Sequence, residues 1–266
     1  MDKDTIKRLI IEYQQFVANI TLIEREIHLS HQLNYVFVGL RRAGKSYLMY
    51  QQIQSLLNDG HQPEEILYFN FEDDRLVNLT VEDLDLIKVS YEELYPHKPI
   101  FFLDEIQIVE HWEKFARRLA DQQYRVYITG SNAKMLSAEI ATTLGGRYIV
   151  QNVYPFSFSE FLKASKIEIG PTWYYKNRTE IVRTFSDYFS YGGLPELMLI
   201  ETIEKRQWLS NLFNKIFFGD LITRYSIRND LAMKVLIRKL AESVKQPSSF
   251  NRLTNIVSTT GAKVST

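Results

Sequence analysis

The stretch VFVGLRRAGKSYL, residues 36–48, decides how the rest of the chain is read. An apolar run, Tyr35 to Val38, ends at Gly39, and a helical pattern opens at Lys45 and continues to about Asn58. Between them Gly39-Leu40-Arg41-Arg42-Ala43-Gly44-Lys45-Ser46 has the Walker A spacing: glycine, four residues, then Gly-Lys-Ser. Gly39 and Gly44 allow backbone turns that a side chain would block, so successive amides can point at phosphate oxygens. The helix that follows adds its unpaired N-terminal N–H groups and the positive end of its dipole. In this reading Lys45 reaches the β- and γ-phosphates and the Ser46 hydroxyl ligates Mg²⁺. Tyr47 completes the predicted nucleotide-contacting run. Arg41 and Arg42 either touch phosphate or face solvent. The competing reading is a strand and a helix joined by an ordinary glycine turn, so the other parts of a nucleotide site have to be present elsewhere.

A phosphate loop calls for an acidic residue at the tip of another buried strand. FFLDE (101–105) supplies two. Asp104 is predicted to hold Mg²⁺ through water, and Glu105 to orient and deprotonate the water that attacks the γ-phosphate. A strand that ends in a charged turn is the plain alternative. VYITGSN (126–132) is expected to lie between these two strands. Ser131 or Asn132 could then hydrogen-bond the γ-phosphate or the attacking water, or the pair could form a Gly-Ser turn and a helix cap. ATP and Mg²⁺ are the implied ligands.

Outward from these motifs, strands alternate with helices. Strands are predicted at 66–71, 99–105, 125–129 and 147–153, and a first helix over residues 5–28. This alternation predicts an α/β P-loop core, a parallel sheet flanked by helices. From about 178 the pattern is helical throughout, so a C-terminal all-helical lid and partner region is expected. The predicted domains are 1–165 and 166–266.

Hydrophobic residues make up 45% of the chain and charged residues 24%, as in ordinary globular proteins. Cysteine is absent, which excludes disulfides and thiol chemistry. The five histidines have no metal-ligand spacing. No apolar run is long enough to span a bilayer and the first residues do not resemble a secretion signal, so a cytoplasmic location and no membrane partner are expected. Residues 201–266 carry eleven Lys and Arg against five Asp and Glu, although the whole chain is neutral. That basic end fits a solvated helical surface, an acidic partner or nucleic acid.

Together the motifs resemble the prokaryotic AAA-type P-loop ATPases, in which an ATPase core precedes a helical domain of unknown function. The resemblance runs from about residue 15 to the C-terminus. It is carried by GLRRAGKS (39–46), YFNFEDDRL (68–76), FFLDEIQ (101–107), Trp112, ITGSN (128–132), LGGRY (144–148), YPFSFSEF (154–161), YGGLPEL (191–197) and FFGDLITRYSIRND (217–230). It implies two further residues. Arg147 stands where such proteins often place an arginine finger, which in a ring or dimer reaches a neighbour's γ-phosphate. Its plain alternative is pairing with surface carboxylates. Pro195 is similar to the lid proline that packs on adenine, and a turn between helices would use the same residues.

Other P-loop classes fit less well. A guanine-reading Asn/Thr-Lys-x-Asp motif is missing, and the transporter-type Leu-Ser-Gly-Gly-Gln signature does not precede the acidic strand. Adjacent Asp-Glu suits water activation better than transfer to a second substrate. The expected function is Mg²⁺-dependent ATP hydrolysis coupled to an unknown protein partner, with self-association if Arg147 acts in trans. The alternative is a slow nucleotide-dependent switch. SSFNRLTNIVSTTGAKVST (248–266) looks like the opening of a helix-turn-helix that stops short of a recognition helix, so DNA binding is unsupported in this chain; the open readings are DNA association through a longer C-terminal region and a protein-interaction module.

Overall fold

The computed structural model describes the chain except Met1, residues 77–78, 131–141, 168–169, Pro171, residues 173–174, Lys176, residues 224–225, 245–248 and 262–266, and the side chain of Asp220. It divides into two compact units, residues 1–205 and 206–266.

In the first unit five strands form one parallel sheet: β1 (Tyr35–Val38), β2 (Ile66–Asn70), β3 (Ile100–Asp104), β4 (Arg125–Gly130) and β5 (Ile149–Asn152). Their order is β2-β3-β4-β1-β5, so β4 lies between β1 and β3, as the sequence implied. Helices α1 (Lys3–Asn19), α2 (Lys45–Asn58), α3 (Val81–Leu94) and α4 (Trp112–Asp121) fill the crossovers and edges. Side-chain alternation along the strands splits the core in two. Val36, Leu67, Phe101, Leu103 and Ile128 pack with α1, α3 and α4 on one face; Phe37, Tyr68, Phe102 and Tyr127 pack with α2 on the other. Both faces are therefore covered, as a parallel sheet requires. Gln14 of α1 donates to the carbonyl of Ile66 at 2.8 Å, which occupies part of the free edge of β2.

The first helix is shorter than its apolar periodicity predicts. It stops at Asn19, and Ile20 is extended at ψ 135°. The β-branched run Ile20-Thr21 disfavours further helix, and Gln54 of α2 takes the carbonyls of Val17 and Ile20 at 3.3 and 2.8 Å. Residues 21–28 leave the helix and run past the phosphate loop. The sequence pattern also predicts a helix over 134–144, and that segment falls almost wholly outside the described residues.

After β5 the chain forms α5 (Phe158–Ala164) and α6 (Arg178–Tyr191), then a 3₁₀ turn at Pro195–Leu199. Gly193 is indispensable there, because a Cβ would sit 2.3 Å from the Phe156 carbonyl, which also accepts from Tyr188 at 2.9 Å. These contacts fasten the segment beyond residue 165 to the sheet domain, and the division between units falls at Lys205.

α7 (Thr202–Lys215) runs across that division. The second unit holds its C-terminal part, a π-helical stretch (Ile216–Thr223), α8 (Asp230–Glu242) and α9 (Phe250–Ser258). Asn229 and Ser249 cap the last two helices through the amides of Ala232 and Arg252.

Candidate functional site

Because all five strands are parallel, their C-terminal ends share one edge, where ligands bind in open α/β sheets. The residues 39–46 loop leaves β1 there, Asp104 and Asn152 end β3 and β5, and Thr129 is the last residue but one of β4. Gly39 is dictated by close approach: a Cβ would lie 2.1 Å from the Val153 carbonyl. Gly44 is dictated by conformation, with φ 95°. Arg42 also takes a left-handed φ of 64°. Ala43 is fully buried, whereas Leu40 and Tyr47 are exposed.

Three charged side chains are buried together at this edge: Lys45, Asp104 and Glu105. Lys45 folds back along the loop, and its Nζ donates to the carbonyls of Leu40 (3.0 Å) and Gly39 (3.3 Å). It lies 4.0 Å from the Glu105 carboxylate. Burial pushes the Lys45 ammonium down, opposed by the charges of Glu105 and Asp104. Burial raises Asp104, opposed by hydrogen bonds from Thr129, Tyr68 and Ser46. The Ser46 hydroxyl of the loop thus lies near enough to Asp104 of β3 to favour its charged form.

Glu105 has φ 56°, in the left-handed region, where a non-glycine residue costs about 1–3 kcal/mol. Hydrogen bonds from both ends help to hold it. Its amide donates to Thr129 Oγ1 at 2.9 Å, and its carboxylate accepts from Gln107 Nε2. Thr129 Oγ1 in turn donates to Asp104. One threonine hydroxyl at the tip of β4 therefore ties both acidic residues. Ser131 and Asn132, the residues expected from the sequence to sense the γ-phosphate, lie outside the described residues.

The other predicted residues fall in two places, beside the loop and at the far edge of the sheet. Pro195 packs on the loop, its Cγ 3.7 Å from where a Gly44 Cβ would stand. Arg42 pairs with the next residue of that turn, Glu196, and Arg41 lies 3.8 Å from Glu72. Asp73 is engaged by Arg75 and by the Tyr13 hydroxyl, which donates at 2.6 Å. Arg147 precedes β5 and so lies at the opposite edge of the sheet from the loop. It pairs there with Asp121, at 2.6 Å. It is therefore placed away from the phosphate loop of its own chain.

Sequence reasoning missed the residue that braces the loop from outside. Arg25 is buried and donates to Glu160 Oε1 (2.8 Å), to the Ala43 carbonyl (3.0 Å) and to the Tyr154 carbonyl (2.7 Å). Glu160 also accepts from the amides of Glu26 and Ser157 at 2.9 and 2.8 Å, and these bonds with Arg25 outweigh burial and hold its carboxyl below the usual range. The legible signal was Ser157-x-x-Glu160, a capping box opening α5.

A divalent cation has a plausible donor set here of the right chemistry. Ser46 and Asp104 offer oxygen, as Mg²⁺ demands.

Comparison with known proteins places this architecture. Residues 31–162 match the family described as "AAA domain". The part of the chain that carries the phosphate loop and most of the sheet is therefore an AAA domain. An uncharacterized protein of Methanocaldococcus jannaschii is 33% identical over 267 residues, covering 99% of this chain and 59% of its own length. An uncharacterized protein of Haemophilus influenzae is 33% identical over 246 residues, covering 88% of this chain and again 59% of its own length. The chain thus spans somewhat over half of these relatives. A solved DNA polymerase III gamma subunit-related protein from Thermotoga maritima aligns over 94% of this chain and 98% of its own, at 12% identity and a TM-score of 0.38. No helix among the described residues is long and apolar enough to cross a membrane.

Proposed function

We propose that this protein hydrolyses ATP to ADP and phosphate in a Mg²⁺-dependent reaction at the C-terminal edge of its sheet. The observation that carries the reading is the burial of Lys45, Asp104 and Glu105 together beside the loop, at 4%, 2% and 9% exposure. They stand beside a loop and a helix N-terminus whose amides suit phosphate, and a polyphosphate with its cation is the ligand this donor set suits.

In this proposal the loop amides and Lys45 bind the β- and γ-phosphates, and Ser46 and Asp104 hold the cation. The bound cation would offset the charge that builds on the phosphate oxygens. Glu105 takes a proton from water as the water oxygen bonds to the γ-phosphorus and the bond to the β-γ bridging oxygen breaks. Thr129 keeps Glu105 in its strained backbone conformation. Pro195, already against Gly44, packs on adenine. Ser131 or Asn132 contacts the γ-phosphate. Arg147, facing away from its own loop, acts on a neighbouring copy, and the C-terminal helical unit passes nucleotide state to a protein partner. Hydrolysis takes place in the cytoplasm.

Steady-state phosphate release from MgATP tests the reading. The wild-type chain should turn over and Lys45→Ala should not. Equal release by both would place the activity elsewhere.

A further inference from the structure

The apolar face of the sheet that packs on α2 contains two hydroxyls that its packing does not need. Tyr68 of β2 is 1% exposed and Tyr50 of α2 is 8% exposed. Their oxygens are 3.0 Å apart, and the Tyr68 hydroxyl donates to Asp104 Oδ2 at 2.7 Å. With that proton committed to the carboxylate, Tyr50 is the donor in the first contact. The chain of bonds therefore runs from Tyr50 to Tyr68 to Asp104.

Its two ends meet. Tyr50 follows Ser46 by one helical turn on the same face of α2, and the Ser46 hydroxyl lies near enough to Asp104 to favour its charged form. The register pairs Tyr68 with Phe102, so Tyr68 shares a sheet face with Phe102 and Asp104. The rings are fixed as well: Tyr68 meets Tyr13 edge-on at 5.4 Å and Tyr50 at 5.3 Å. Thr129 holds the other oxygen of Asp104. Phenylalanine would fill the same two spaces without burying any polar atom, so packing does not account for the hydroxyls. The group they serve is Asp104.

We propose that Tyr68, backed by Tyr50, is a positioning residue that fixes the Asp104 carboxylate against Ser46 and so sets the affinity of the site for its divalent cation. This rests on the ATPase reading of the site. Residues that orient a metal ligand through a hydrogen bond typically change metal affinity by about 10–100-fold when lost. Since Thr129 still restrains Asp104, the lower end applies to Tyr68→Phe. Tyr50→Phe acts through Tyr68, and a loss of about two- to threefold follows from weakening one bond in a chain.

The test is the affinity of the full chain for a slowly hydrolysed ATP analogue, measured by calorimetry with Mg²⁺ and again with EDTA. Tyr68→Phe should weaken binding about tenfold with Mg²⁺ and leave binding in EDTA within twofold of wild type. The Mg²⁺ concentration for half-maximal phosphate release should rise in parallel. If Tyr68→Phe does not fold, Tyr50→Phe must show the same selective loss at its smaller size. Equal weakening with and without Mg²⁺ would mean a purely structural role and overturns the proposal, as does unchanged or tighter Mg²⁺-dependent binding. Absence of Mg²⁺-dependent binding in the wild type itself would overturn the underlying ATPase reading, which separates the two failures.

Discussion

Removing Arg25 tests whether the phosphate loop is braced from outside. Its guanidinium is 4% exposed and faces a Glu160 carboxylate that is 5% exposed, at 2.8 Å. Truncating one partner of a buried pair leaves the other charge without compensation, at a cost of about 3–5 kcal/mol. Glu160 keeps two amide donors, from Glu26 and Ser157, so Arg25→Met should fall at the lower end, about 3 kcal/mol. The carbonyls of Ala43 and Tyr154 lose their charged donor in the same step. Glu160→Gln keeps the shape but turns one acceptor oxygen into a donor and leaves the buried Arg25 charge uncompensated, so its cost should be of the same size, about 3 kcal/mol. Urea unfolding of both single variants and the double variant gives the coupling, expected to be about 2 kcal/mol for groups in direct contact.

The same pair gives a pH dependence of known sign. Glu160 is held below the ordinary glutamate value of 4.5, so folding favours its charged form. Its stabilisation is complete above that value and is lost as pH falls through the lower, folded value. Arg25→Met should flatten this acid limb. A cost below about 1 kcal/mol for Arg25→Met, or strictly additive single variants, would refute the idea of a buried brace.

Three further outcomes follow from particular contacts. Gly39→Ala should destabilise the chain by more than about 2 kcal/mol in thermal or urea unfolding, because its Cβ would meet the Val153 carbonyl at 2.1 Å and only backbone movement relieves that. Thr129→Val leaves the buried Glu105 amide unpaired, at about 1–3 kcal/mol, and should lower phosphate release more than ATP affinity. Arg147→Ala removes an exposed, solvent-screened pair with Asp121 and should leave the urea midpoint close to that of the wild type. If Arg147 acts in trans, that variant loses activity only where sedimentation shows self-association, and a loss in the monomer contradicts the trans role.

The parts of the fold and site that were legible in the sequence depend on local spacing. Gly39, Gly44, Lys45 and Ser46 are neighbours along the chain, so their geometry is set by a few consecutive dihedral angles. Asp104 and Glu105 stand at the end of an apolar run whose buried character is plain. The alternation of strands and helices was enough to give the parallel sheet. What was missed depends on pairing across distance. Tyr68 reads as one more aromatic strand residue until the β2–β3 register sets it beside Asp104. Thr129 matters only because β4 lies next to β3. Arg25 and Glu160, far apart in sequence, meet only after the sheet has formed. The early end of α1 has the same cause: the apolar residues after Asn19 keep a helical rhythm, but the carbonyls there are taken by Gln54 of α2.

The most direct test of the central claim, that Glu105 activates the attacking water, is a single turnover of radiolabelled ATP by Glu105→Gln, with the bound nucleotide identified after quenching. The account predicts that the variant retains ATP at close to wild-type affinity and that the label stays on ATP, while the wild type yields ADP and free phosphate. Conversion to ADP by Glu105→Gln at the wild-type rate would contradict it.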